Sequence, residues 1–345
     1  MDLNLSDEQQ ALVDSFSALY AKESPTERVR AAEPTGHDPD LWLRLKESGA
    51  LEMAVDEEAG GWGASLLDLA LVAEQHGRYL GSAPLLEAQV AARLLARLGA
   101  PARSLLAPAV AGTRLVTVAL RPPSEGVISL VPAGAIADDV IYVDGGSVWH
   151  VAADDEGAAH RSAVSNIASL PLADIELRAP ATEIASGGEA IAVFDEAVND
   201  WMVLVAAALV GIGARSIEIG VAYVKERKAF GAPIGSFQAV AHGLADAATA
   251  LDGGTLLARK AAWSAEVQPE RTLELGPLAF GFCAESAREA SYRSLHYHGG
   301  YGFMLEYDIQ LYFRRARGWP AQFGEPDAAF ALAAARRLAG PPREI

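Results

Sequence analysis

The sequence contains a single cysteine, Cys283, among its 345 residues. One thiol cannot form a disulfide within the chain, and it excludes zinc sites that need several cysteine ligands. Because Cys283 lies in the helical pattern "AFGFCAESAREA", we expect a buried packing thiol rather than a nucleophile. The sequence therefore points away from thiol chemistry, and we expect no metal site.

Positive charge is also scarce. The chain has 28 Lys and Arg residues against 45 Asp and Glu residues, which gives a formal net charge of −17. Such a chain repels nucleic acid and anionic membrane surfaces at long range, so we expect neither as a partner. Any phosphate group that it binds must be held by local donors.

Long apolar runs without charges are missing, and the opening residues "MDLNLSDEQQ" have neither a basic segment nor an apolar core. Hydrophobic residues make up 51% and charged residues 21% of the chain, an ordinary globular balance. A chain of 345 residues is too long for one small domain. We therefore expect a cytoplasmic globular protein of two or three packed units.

The first hundred residues predict helices. Ser6 followed by Gln9 forms a capping-box pattern that opens an apolar-periodic stretch. Further helical patterns lie in "DPDLWLRLKESGALEM", after the glycine-rich loop of "EEAGGWGASLLDLALVAEQHGRYLGSAP", and in "LLEAQVAARLLARLG". Residues 1–100 are thus predicted to form an N-terminal helical domain.

The residue pattern changes near Pro101, from helical periodicity to short strand-like runs. Short runs rich in β-branched residues follow, separated by turn residues: "TRLVTVAL", "VISLVPAG", "DVIYVDGG" and "SVWHVAADD". Residues 101–193 are therefore predicted to form a small central β domain, in which Trp149 packs. Residues 194–345 predict a helical bundle, since the long run "DEAVNDWMVLVAAALVGIGARSIEIGVAYVKERKAF" precedes three further helical stretches. The predicted fold class is α+β, mainly α.

Two stretches carry residues suited to chemistry. In "VKERKAFGAPIGSFQAVAHGLADA", Lys225, Arg227 and Lys228 stand beside glycines, and an arginine fork with approachable backbone N–H groups suits a phosphate. Basic residues at a helix C-terminus can equally serve only to complement the helix dipole. In "LHYHGGYGFMLEYDIQLYFRRAR", Gly299 and Gly300 allow close approach of a ligand, or simply end a helix.

Together these stretches resemble the acyl-CoA dehydrogenase family, flavoenzymes that desaturate acyl-CoA thioesters. "EEAGGWGASLLD" looks like the N-terminal loop of the family, "RKAFGAPIGSFQ" like its long-helix signature and "HGGYGFMLEYDIQLYFRRAR" like its C-terminal signature. The resemblance covers nearly the whole chain. It implies an N-terminal helical domain, a central β-barrel-like domain and a C-terminal four-helix bundle, which assemble as dimers or dimers of dimers.

The resemblance also implies FAD at the dimer interface and an electron-transferring flavoprotein as electron acceptor. In the family, the Arg and Phe of the first signature and the glycines of the last contact the adenine and pyrophosphate half of FAD that is bound mainly by the neighbouring subunit. His296 stands where many relatives have Gln, and either side chain can donate a hydrogen bond. The positions that match the FAD contacts are Arg227, Phe230, Gln238, His296, Gly299 and Gly300.

The chain departs from the family pattern where the flavin ring and the catalytic base are expected. A Thr-Glu-Pro loop is replaced by "VALRPPSEGVISL", and no Trp-Ile-Thr/Ser segment follows. The usual position of the base holds Phe323, and the alternative position holds Trp201. Nearby acids are Glu325 and Asp200, each of which can also be a helix-start carboxylate. His298 is expected to be structural.

These departures resemble the unequal subunits of heteromeric acyl-CoA dehydrogenases of actinobacteria, including those that act on steroid side chains. The favoured hypothesis is a base-lacking subunit of a heterotetramer that shares FAD with a homologous catalytic chain and acts on an acyl-CoA, from steroid side-chain or fatty-acid catabolism. A self-sufficient homo-oligomeric enzyme with Asp200 or Glu325 as a displaced base is the second hypothesis. A scaffold or acyl-CoA-binding protein without redox chemistry is the third.

Overall fold

The computed structural model describes residues 4–153, 159–178 and 181–339. These residues are mostly helical, which confirms the predicted α+β class with helix dominant. The α-helices of this described part are α1 (Asp7–Glu23), α2 (Thr26–Ala32), α3 (Pro39–Glu47), α4 (Leu66–Arg78), α5 (Leu85–Leu98), α6 (Arg103–Val110), α7 (Gly188–Glu226), α8 (Gln238–Val267), α9 (Pro269–Tyr297), α10 (Ile309–Gly318) and α11 (Pro326–Ala339).

The strands lie where the β-branched runs predict them, between α6 and α7, with a short hairpin after α7. They are β1 (Val116–Val118), β2 (Val127–Val131), β3 (Asp139–Asp144), β4 (Ser147–Ala152), β5 (Ala159–Ala163), β6 (Ala173–Leu177), β7 (Thr182–Ser186), β8 (Lys228–Ala229) and β9 (Ala232–Pro233). One sheet has the order β1-β3-β4-β7, a second has β2-β6-β5, and β8 pairs with β9. Among the described strands, only β1 and β3 pair in parallel.

The chain divides into two compact units. The bundle unit comprises Met1–Glu27, Ala70–Gly81 and Met202–Ile345, and the sheet unit comprises Arg28–Leu69 and Ser82–Trp201. The predicted division into domains at residues 1–100, 101–193 and 194–345 stays a prediction.

The sheet unit is built around the two sheets. Its strands bury one apolar core to which Ile128, Val140, Val151 and Ile175 contribute, and Trp149 packs against that core. The described strands β1 to β7 form two separate sheets and no closed barrel. The β domain is therefore barrel-like only in the sense that two small sheets share one core.

The bundle unit is centred on the C-terminal part of α7. A Cβ on Gly211 would overlap the carbonyl oxygen of Glu74, so glycine is required for α7 to pack this closely on α4. By length and composition α7 could cross a membrane, with a window of mean hydropathy 1.8, and the expectation that no apolar run is long enough is wrong here. However, 72% of that window is buried, as in the core helix of a globular unit.

Several local predictions can be checked against this fold. Ser6 caps α1 and forms a complete capping box with Gln9. Cys283 is buried in α9, where burial raises the pKa of its thiol, so it packs as expected. α7 begins at Gly188, so Asp200 lies inside the helix and its interpretation as a helix-start residue is wrong.

Candidate functional site

The hairpin after α7 presents an aromatic side chain in an unusual backbone conformation. Phe230 and Gly231 form the turn between β8 and β9, and both have positive φ, 51° and 83°. A turn of this kind favours Asn or Gly at its first position, because positive φ strains a residue with a bulky side chain. The side chain of Phe230 is nevertheless 98% exposed, and its ring contacts only the edge-on ring of Phe237 among the aromatic residues described. Strain and exposure together indicate a functional position.

Three basic side chains flank this turn without carboxylate partners. Lys225, Arg227 and Lys228 are exposed, and none lies within ion-pair distance of a carboxylate in the described part of the chain. Their backbone is fixed, since the Arg227 amide donates to the Tyr223 carbonyl at 2.9 Å and the Arg227 carbonyl accepts from Ile234 at 2.8 Å. In a chain of net charge −17, this is a local positive site on a rigid support.

The glycine pair lies in a short 3-10 helix, Gly299–Phe303, that follows α9. Gly299 has φ 60°, a conformation that favours glycine. A Cβ built at Gly299 or at Gly300 would meet no atom within 4 Å. The packing of this chain therefore does not explain Gly300, whereas open space in front of the backbone suits the approach of a ligand.

The two sequence signatures meet in space. The guanidinium carbon of Arg227 lies 6.0 Å from the centre of the Tyr301 ring, within the range of a cation–π contact. Tyr301 in turn lies 5.6 Å from Tyr307, ring centre to ring centre. Sequence analysis missed both tyrosines, although the aromatic run that follows Gly300 was a usable signal.

His298 belongs to the support beneath the glycine pair. Its ring stacks on Tyr223 with centres 3.9 Å apart, and its Nδ1–H donates to the Ser294 carbonyl at 2.7 Å. Burial lowers the pKa of His298 below its usual value, although the Ser294 hydrogen bond opposes this. A neutral, stacked and buried histidine is structural, as predicted.

Gln238 and His296 are exposed on the neighbouring helices. Gln238 is the first residue of α8, and His296 lies in the last turn of α9, where it stacks on Tyr292. Neither side chain hydrogen-bonds to Arg227 among the residues described. Their assignment to the same FAD site stays a prediction.

An apolar cavity of about 480 Å³ adjoins the hairpin. It lies between α7 and α8, where Val221, Val224 and Leu244 form its walls, and Pro233 of the hairpin lines it. Lys225 is the one charged residue of its lining. The positive site and an apolar recess are therefore adjacent in the bundle unit.

Asp200 is held in an ion pair within the sheet unit. Its side chain is 3% exposed, and its Oδ2 accepts from Nε of Arg93 at 2.8 Å and from Nη2 of Arg97 at 2.9 Å. Two charge-assisted hydrogen bonds fix this carboxylate in place. Asp200 therefore has the environment of a structural ion pair.

The remaining base candidates lie near the start of α11. The Glu325 side chain is 71% exposed, and its nearest cation is Arg288 at 3.8 Å. Phe323 packs edge-on against Phe280, with ring centres 5.7 Å apart. The usual base position thus holds a packed aromatic ring, and the nearest acid is a surface carboxylate.

The segment "VALRPPSEGVISL", which stands where the flavin-ring loop is expected, contains a tight turn. Ser124 and Val127 exchange both backbone hydrogen bonds, and the two residues between them, Glu125 and Gly126, have φ of 52° and 78°. This turn takes up residues 124–127 of the segment, and residues 119–123 before it belong to no helix or strand. The exposed donors of Arg227 and the open backbone at Gly299 and Gly300 have the chemistry that a pyrophosphate needs, and this is the part of the chain that suits the pyrophosphate half of FAD.

Comparison with known proteins gives the same assignment along the chain. Residues 6–111 match the family model "Acyl-CoA dehydrogenase, N-terminal domain", and residues 169–336 match "Acyl-CoA dehydrogenase, C-terminal domain". The acyl-CoA dehydrogenase IpdE2 of Mycolicibacterium smegmatis is 32% identical over 328 residues, which cover 93% of this chain and 96% of that protein.

Two solved structures have the same fold. The ChsE4-ChsE5 complex from Mycobacterium tuberculosis contains a chain with a TM-score of 0.89 and 24% identity, covering 99% of this chain and 100% of that chain. A variant of the Tcur3481-Tcur3483 steroid ACAD has a TM-score of 0.86 and 25% identity, covering 97% of this chain and 99% of that chain.

Proposed function

We propose that this chain, which belongs to the acyl-CoA dehydrogenase family, is the subunit of a heterotetramer that supplies FAD contacts while a homologous partner chain supplies the catalytic base. The family consists of FAD-dependent oxidoreductases. When bound, FAD would supply the hydride acceptor for desaturation of an acyl-CoA. The proposal concerns the division of labour between the two chains.

The environment of Asp200 carries this proposal. A general base must come within hydrogen-bond reach of the α-proton that it removes. The Asp200 carboxylate is buried and bonded to Arg93 and Arg97, so it is already committed to structure. Glu325 faces solvent, and Phe323 replaces the usual acid. No position singled out by the resemblance thus offers a free carboxylate in an enclosed site.

The hairpin supports the other half of the proposal. Arg227 offers a planar fork of donors that has no carboxylate partner among the described residues, and Gly299 and Gly300 offer open backbone, which together suit a pyrophosphate. Phe230 is exposed in the hairpin that follows Arg227 and would lie against the adenosine part. Every one of these groups faces outward in the isolated chain, as expected of residues that contact a cofactor held by another subunit.

The names of relatives support the proposed partner and substrate. The Tcur3481-Tcur3483 protein is named for two chains and is called a steroid ACAD. By analogy, the substrate of this chain is an acyl-CoA from steroid side-chain or fatty-acid catabolism, and the setting is cytoplasmic. A relative named as a subunit of a caffeyl-CoA reductase–Etf complex supports an electron-transferring flavoprotein as acceptor.

Expression of the chain alone and together with candidate homologous subunits tests the proposal. We expect flavin absorbance near 450 nm, roughly one FAD per pair of chains, only in the co-purified complex, with a native mass that matches two copies of each chain. A yellow homo-oligomer that turns over acyl-CoA would establish a self-sufficient enzyme instead. A colourless protein under every condition would establish the scaffold.

A further inference from the structure

The Arg227 guanidinium faces the ring of Tyr301. Arg227 is exposed and makes no ion pair among the described residues, so no carboxylate fixes its side chain. The guanidinium carbon lies over the Tyr301 ring, 6.0 Å from the centre. An arginine that stacks on a ring keeps all its N–H donors available, because the contact uses only the faces of the two groups.

Tyr301 is itself held by a chain of aromatic contacts that returns to Arg227. Its ring lies 5.6 Å from Tyr307, which meets Tyr223 edge-on at 6.3 Å and His298 edge-on at 5.8 Å. His298 stacks on Tyr223, and the Tyr223 carbonyl accepts from the Arg227 amide. These contacts connect the end of α7, which Arg227 follows directly, to the turn after α9, which carries Tyr301.

We propose that Tyr301 is a positioning residue, whose ring face holds the Arg227 guanidinium ready for an anionic ligand, the FAD pyrophosphate. The inference rests on the proposed function, because it takes FAD as the anion that Arg227 meets. A freely rotating arginine loses conformational entropy when it binds, and stacking in advance reduces that loss. Tyr301 need not touch the cofactor to strengthen its binding.

The ring face and not the hydroxyl makes this contact. We therefore expect Tyr301→Phe to bind FAD within about twofold of the parent, whereas Tyr301→Leu, which removes the π face, binds FAD roughly threefold to tenfold more weakly. Flavin-free assembled protein, meaning this chain with whichever subunits co-purify with it, is titrated with FAD. Quenching of flavin fluorescence gives the dissociation constant.

A double-mutant cycle separates positioning from a general structural effect. If Tyr301 acts through Arg227, Tyr301→Leu should weaken binding by less than about twofold in an Arg227→Ala background. If Tyr301 only supports the fold, the same loss should appear in both backgrounds. Phe303→Leu is the control for loss of an exposed aromatic ring from the same turn, since Phe303 packs on Phe313 instead. It should leave the dissociation constant within about twofold of the parent.

The outcomes distinguish the inference from the function on which it rests. Weaker binding in Arg227→Ala but normal binding in Tyr301→Leu overturns the positioning role alone. Equal losses in both backgrounds also overturn it. Normal binding in Arg227→Ala, or an assembled protein that holds no FAD at all, overturns the proposed site and the positioning role together.

Discussion

The Asp200 carboxylate is bound to the Arg93 guanidinium, with Oδ2 of Asp200 2.8 Å from Nε of Arg93. Arg93 comes from α5 and Asp200 from α7, so the ion pair ties two helices of the sheet unit together. Arg97, one turn further along α5, adds a second bond to the same oxygen. The acid that lies beside an alternative base position of the family is thus a structural group.

The first prediction concerns this ion pair. Asp200→Asn leaves two arginines without their counter-charge near a buried position, so we expect the free energy of unfolding to fall by about 3 kcal/mol. Urea denaturation measures the change. Glu196→Gln is the matched control, because Glu196 is half exposed and 3.7 Å from Arg97, and its loss should cost less than about 1 kcal/mol. Equal effects of the two changes would contradict this role of Asp200.

The second prediction concerns Arg227. Each charge-assisted hydrogen bond to a pyrophosphate oxygen is worth roughly 1.5 to 3 kcal/mol, so Arg227→Ala should weaken FAD binding at least about tenfold. FAD titration of the flavin-free assembled protein checks it. Arg317→Ala, which removes an exposed arginine of α10, is the control and should change nothing. An unaltered dissociation constant for Arg227→Ala means that the cofactor lies elsewhere.

The third prediction separates ligand approach from stability at the glycine pair. Gly300 has neither a positive φ nor a neighbour that a Cβ would meet, so Gly300→Ala should leave the unfolding temperature unchanged or slightly raised. The new methyl group would nevertheless occupy the space in front of the backbone, and FAD binding should weaken. Gly188→Ala, another glycine with open space around it, should affect neither property. Unchanged FAD binding in Gly300→Ala would show that no cofactor approaches this turn.

The fourth prediction is a pH dependence of stability from a buried histidine. Nδ1 of His76 and the Tyr20 hydroxyl form a hydrogen bond of 2.9 Å. Burial and the nearby Arg315 charge lower the pKa of His76 from 6.5 to about 3. The unfolded chain therefore takes up a proton first as the pH falls. Stability that is present above about pH 6.5 is lost between about pH 6.5 and 3, by up to about 1.4 kcal/mol per pH unit.

Urea denaturation at several pH values between about 7 and 5 measures this slope. His76→Gln removes the titrating group and should flatten the pH dependence, whatever it does to stability at neutral pH. His242→Gln, which changes an exposed histidine of α8, should keep the slope of the parent. A parent-like slope in His76→Gln would show that other groups dominate the acid response.

Local chemistry made much of the fold predictable. The Ser6 and Gln9 capping box marked the start of α1, and turn residues separated the β-branched runs that became β1 to β4. The long run that begins "DEAVNDW" predicts too late a start for α7, which begins at Gly188, because the residues that follow Gly188 carry no capping signal that outweighs the apolar run further on. Residues 188–193 of α7 therefore fall within the predicted β domain.

The site was predictable only in part. Glycines, arginine and the family resemblance indicated where a pyrophosphate could bind, since these residues act through their own chemistry. The contact of Arg227 with Tyr301 and that of Arg93 with Asp200 join positions far apart in the sequence. Periodicity and spacing describe only local geometry, so tertiary pairings of this kind need a structure.

The rate of flavin reduction by substrate tests most directly the claim that this chain lacks the catalytic base. Stopped-flow absorbance under anaerobic conditions would compare the assembled parent with Glu325→Gln and with Asp200→Asn, at equal FAD content and equal native mass. We expect both variants to reduce flavin within about tenfold of the parent rate, since loss of a true base costs about 10² to 10⁴. A thousandfold fall in either variant, with cofactor content and assembly intact, would contradict the account and place the base in this chain.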